Sequence, residues 1–96
     1  MRINFKTSLV YKTMNITERF LNYTKFDTQS NEDSTSVPST EKQLVFANYL
    51  KEELVREGLT DVEMDDKGYV YATLKGNTKK PVPTIGFISH YDTSPD

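Results

Sequence analysis

The chain has 96 residues, 35% of them hydrophobic and 27% charged, and a formal net charge of -2. That composition is too apolar and too weakly charged for a disordered chain and fits one soluble globular unit or part of one. Acidic and basic residues are interspersed, leaving no electrostatic footprint for nucleic acid. There is no cysteine, which excludes disulfides, thiolate zinc sites and a cysteine nucleophile, and suits a reducing cytoplasm.

Residues 1–13, MRINFKTSLVYKT, show no clear amphipathic period, and their apolar patch Leu9-Val10-Tyr11 is far short of a signal peptide's core or a membrane span. They read as an unstructured extension, with Met14 as an alternative start. Asn15 followed by Glu18 has capping spacing, and Ile16, Phe20 and Tyr23 recur at helical intervals, so a helix is predicted from Ile16 to about Lys25. Residues 27–40, DTQSNEDSTSVPST, are polar and rich in Ser and Thr. They read as a long loop, either a solvated connection or a segment with a role near a site.

Thr40 and Gln43 have capping-box spacing, and Phe46, Ala47, Leu50 and Leu54 form an apolar stripe that Gly58 ends, so a second helix is predicted over 40–57. Its acidic residues, like those of DVEMDD, read as solvated surface. Alternating Val62 and Met64, the turn DDKG and YVYATL predict an antiparallel hairpin. After Pro81 and Pro83, the nearly continuous apolar run Thr84–Ser89 reads as a strand buried on both faces. Two helices, a β-hairpin and a buried strand make the opening of an α/β domain with an incomplete sheet.

The chain's only histidine, His90, follows that run. Ligands of open α/β sheets bind beyond the carboxyl ends of strands. By the period of two, His90 and Asp92 project to one side of an extended segment and Tyr91 to the other. Two readings stay open on pattern alone: a histidine bonded to a turn aspartate, or a metal-ligating imidazole whose second nitrogen Asp92 orients. A nucleophilic triad of Ser89 or Ser94 with these two fails, because such close neighbours cannot form the relay.

The stretches ERFLNYTKFDTQS, PSTEKQ, LKEELVREGLTDVEMDDKGYVYATLKGN and VPTIGFISHYDTSPD resemble, in that order, the N-terminal part of the aminotripeptidase branch of a zinc metallopeptidase family that also contains aminoacylases, dipeptidases and related carboxypeptidases. The resemblance implies that residues 14–96 are a truncated N-terminal portion of a zinc-exopeptidase catalytic domain. It implies two zinc ions in the complete site, His90 as the first metal ligand, Asp92 as the catalytic carboxylate beside it, and a tripeptide substrate. Attack of an activated water on the scissile carbonyl would follow, with a later glutamate moving the proton. Thr28 and Ser30 match a signature of the branch without an assigned role, and Tyr91 departs from its usual smaller or unbranched residue. One histidine and no cysteine cannot complete such a site. The expected function is therefore a fragment of a cytoplasmic aminotripeptidase that is inactive alone, or else a non-catalytic remnant or binding protein, or a dipeptidase or deacylase of the same family.

Overall fold

The computed structural model describes residues 13–96, and the expectation for the extension falls almost wholly outside them. Four elements follow one another: α1 (Ile16–Tyr23), α2 (Lys42–Arg56), β1 (Thr60–Met64) and β2 (Val70–Thr73). The strands form a two-stranded antiparallel sheet, so the segment is an incomplete α/β unit, as the sequence predicts.

Local chemistry starts and stops these elements. Asn15 caps α1 by accepting from the Glu18 N–H at 2.8 Å, while the Glu18 carboxylate accepts from the Asn15 N–H at 3.2 Å. The reciprocal pair satisfies two of the amides that a helix N-terminus leaves bare. α2 ends in a Schellman arrangement: Leu59 N–H donates to the Leu54 carbonyl at 3.1 Å and Gly58 N–H to that of Val55 at 3.0 Å. Gly58 supports it at φ +85°, a conformation that costs an L-residue a clash with its own Cβ.

The other expected capping box does not form. α2 begins after Glu41 without a side-chain cap. Thr40 Oγ1 donates instead to the Gln29 carbonyl at 2.9 Å, and buried Gln43 donates to Ser39 Oγ at 3.2 Å. The part-buried Gln29 carbonyl thus turns the Thr40 hydroxyl toward the 27–30 segment and away from the helix's first amides.

The hairpin turns at Asp65–Gly68, where Asp65 Oδ1 accepts from the N–H groups of Lys67 at 3.0 Å and Tyr69 at 2.9 Å. Its register pairs Thr60 with Thr73 and Glu63 with Tyr71, with an irregularity between the two that coincides with the positive φ of Asp61. Burial alternates along β1, so Val62 and Met64 face inward. The hairpin packs on α2. The buried apolar residues are Phe46 and Ala47 of α2, with the rings of Tyr23, Phe26, Tyr49 and Tyr91 clustered around Phe46.

Two expectations need correction. The run Thr84–Ser89 is not a buried strand here: it has no ladder, and Phe87 and Ile88 are 94% and 100% exposed. An apolar strand is buried only when neighbours cover both its faces, and β1 and β2, the strands among the described residues, pair with each other. Nor are the acidic residues of α2 all solvated, since Glu53 is 2% exposed. Tyr23 donates its hydroxyl to Glu53 Oε2, and the Arg19 Nε lies 3.5 Å from Oε1. Arg19 also bonds Glu57 at 2.7 Å, tying α1 to the end of α2. A buried carboxylate persists where a cation and a hydroxyl replace part of its hydration.

Candidate functional site

His90, Tyr91, Asp92 and Thr93 form a short segment held from two sides. His90 and Asp92 come together as the period of two predicts: Nδ1 of His90 lies 3.0 Å from Asp92 Oδ1 and 3.1 Å from the Asp92 carbonyl. Both partners are acceptors only, so in a neutral ring the proton sits on Nδ1 and the lone pair on Nε2. The His90 side chain is 85% exposed. A bare Nε2 behind an oriented Nδ1–H is the arrangement in which an imidazole ligates a metal.

Tyr91 points the other way. Its ring meets Phe46 edge-on at 5.8 Å between centroids, and its hydroxyl donates to the Gly68 carbonyl at 2.9 Å. Burial raises the phenol's pKa, with Asp92 and Asp65 adding to the effect, so the group remains a donor. Gly68 has φ +85°, and a Cβ there would meet the Tyr91 hydroxyl at 2.8 Å and Leu44 Cδ2 at 2.9 Å. The site thus rests on the hairpin turn through a contact that only glycine permits.

On the far side, Thr93 makes a parallel bridge to Gln29. Thr93 N–H donates to the Thr28 carbonyl at 3.1 Å, and the Thr93 carbonyl accepts from the Ser30 N–H at 2.9 Å and its hydroxyl at 3.1 Å. Thr28 is 4% exposed. The loop 27–40 is therefore, at its start, a structural part of the site. Asp27 extends this anchoring to α2: it accepts from Lys42 Nζ at 2.9 Å and from the Gln29 N–H at 3.1 Å, which together hold its carboxyl below the usual range. DTQS stood out in the sequence without a role, and the partner that explains it lies beyond any local window.

The segment borders an open cavity of about 970 Å³, lined by both helices, the hairpin, and residues 87–91 and 93. As a donor set for zinc, His90 supplies one imidazole and Asp92 a carboxylate already engaged with it. No group of three His, Cys, Asp or Glu able to hold a metal occurs among the described residues. The geometry fits one corner of a zinc site.

No protein-family model matches the chain. Curated relatives from Clostridium botulinum (strain Hall), Clostridium acetobutylicum and Caldanaerobacter subterraneus subsp. tengcongensis are 60%, 59% and 57% identical to it over 81 residues, which is 84% of this chain and 20% of each relative. The relatives are named peptidase T, and the extent of the similarity is consistent with an N-terminal fragment. The chain spans about a fifth of the length of these relatives. No helix of the described residues is long and apolar enough to cross a membrane.

Proposed function

We propose that the chain is the N-terminal part of a zinc-dependent aminotripeptidase, which when complete releases the N-terminal residue of tripeptides in a reducing cytoplasm. The observation that carries the reading is His90 with Nδ1 fixed by Asp92 and Nε2 left bare. Similarity to proteins named peptidase T supports the peptidase class, and the absence of cysteine suits the compartment. Zinc held in part by His90 would supply Lewis-acid polarisation of a carbonyl and an activated water at neutral pH. Asp92 keeps the imidazole in the ligating tautomer and fixes its direction. The turn at Gly68 and the 27–30 segment hold both residues still, which is the preorganisation that a reactive geometry requires.

The 96-residue chain is inactive in this reading, because a catalytic zinc takes about three protein ligands and the described residues assemble no such group. The test assays a complete protein containing this segment on a panel of tripeptides, dipeptides and N-acyl amino acids, with and without zinc, beside its His90→Ala variant. Preferential, zinc-dependent cleavage of tripeptides that His90→Ala abolishes is expected. Preference for N-acyl substrates, or full activity without His90, rejects the reading.

A further inference from the structure

We propose that Ser30, assisted by buried Thr28, is a positioning residue for the His90–Asp92 pair, acting through the backbone of Thr93. The inference rests on the metal-ligand reading of His90 for its consequence, but not for its geometry.

Asp92 meets the His90 ring with both its carboxylate and its carbonyl, at 3.0 and 3.1 Å. Keeping both contacts requires the backbone to leave Asp92 in one direction, which is set by the next residue. Thr93 is the only described residue of the 84–96 stretch to form a backbone bridge. Its carbonyl takes two donors from Ser30, the N–H and the hydroxyl, at 2.9 and 3.1 Å. Its N–H is held by the Thr28 carbonyl at 3.1 Å, with the two threonine hydroxyls 3.5 Å apart.

The clamp is itself immobilised. The carbonyl of Gln29, between the two clamping residues, is taken by Thr40 Oγ1 at 2.9 Å at the start of α2. The group bonded to the second nitrogen of a ligating histidine fixes its tautomer and direction, and losing that group costs metal sites about 10–100-fold in affinity; Ser30 acts on that group, Asp92, through Thr93, which puts its removal at the low end of the range. The Ser30 hydroxyl bonds the Thr93 carbonyl directly and can be removed without touching the backbone.

The experiment is a graded series, Ser30→Ala, Ser30→Cys and Ser30→Thr, each confirmed folded by circular dichroism. Because His90 is the only histidine of the chain, ¹⁵N ring shifts at fixed pH report its tautomer without assignment work. Wild type and Ser30→Thr should show the Nδ1–H tautomer, Ser30→Cys a partial shift toward Nε2–H and Ser30→Ala the largest. In a complete protein, chelator competition should show Ser30→Ala weakening zinc binding by roughly 10-fold, with rescue by Ser30→Thr. Identical ring shifts across the series overturn the proposal. So does unfolding of Ser30→Ala with unchanged shifts in Ser30→Cys, since the hydroxyl would then serve the fold alone. A tautomer that follows the series in a protein that binds no zinc keeps the positioning role and rejects the metal reading. Zinc binding with ring shifts indifferent to the series does the reverse.

Discussion

Replacing Gly68 by alanine should destabilise the chain by roughly 3–4 kcal/mol, and a second glycine supplies the control that separates the causes. Gly58 and Gly68 share φ +85°, so each alanine meets the same left-handed penalty, about 1–2 kcal/mol. They differ in surroundings: a Cβ at Gly58 meets nothing within 4 Å, whereas at Gly68 it meets the Tyr91 hydroxyl at 2.8 Å and Leu44 Cδ2 at 2.9 Å. Displacing the hydroxyl weakens its bond to the Gly68 carbonyl, about 0.5–1.5 kcal/mol, and moving Leu44 adds overpacking of order 1 kcal/mol. Gly58→Ala should therefore cost about 1–2 kcal/mol and Gly68→Ala about 2 kcal/mol more. For a chain of this size each kcal/mol lowers Tm by roughly 4–8 °C. Urea unfolding of both variants is the assay, repeated in a Tyr91→Phe background, where the hydroxyl contact is gone and the excess at Gly68 should shrink. Equal losses at the two glycines would refute the packing of Tyr91 over the turn.

Two further outcomes follow from the ion pairs. Tyr23→Phe removes the hydroxyl donated to buried Glu53, whose Oε1 already lacks a hydrogen-bond partner. A bond to a charged group is worth about 1.5–3 kcal/mol, so urea unfolding should show a loss of about 2 kcal/mol, and a loss below about 0.5 kcal/mol rejects the pairing. The Asp27 carboxyl is held below its ordinary value by the Lys42 ammonium and then by the Gln29 N–H. A depressed carboxylate stabilises the fold above its unfolded pKa of about 3.9 and loses that contribution as pH falls through the folded value. The urea midpoint of wild type should thus exceed that of Asp27→Asn at neutral pH and converge with it in acid. A gap that survives acidification contradicts this.

What could be read from the sequence was what depends on near neighbours. Asn15 and Glu18 lie one helical turn apart, and the chain needs nothing else to form that cap. Gly58 and the Asp65–Gly68 turn are likewise decided within a few residues. Thr40 and Gln43 had the same local signature as Asn15 and Glu18, yet the Gln29 carbonyl claims the Thr40 hydroxyl. Glu53 looked like any surface residue of an amphipathic helix because Arg19 and Tyr23, which accompany it into the interior, are contributed by another helix. At the site the same division holds: the outward pairing of His90 with Asp92 follows from alternation, whereas the role of Ser30 depends on a residue 63 positions away.

That division explains why the outward and inward residues of 90–93 should be considered together. His90 and Asp92 face away from the core and hold each other, and a pair so exposed has little packing of its own to fix it. Rigidity has to come from the residues between and after them. Tyr91 reaches the hairpin turn and Thr93 reaches the 27–30 segment, so two independent parts of the fold converge on four residues. The Tyr91 hydroxyl adds an anchor on the Gly68 carbonyl that a smaller apolar side chain cannot make. The corollary is that substitutions at Gly68, Tyr91 or Ser30 should alter the behaviour of His90 without touching it, while a change at exposed Ile16, at the start of α1, should leave it unmoved.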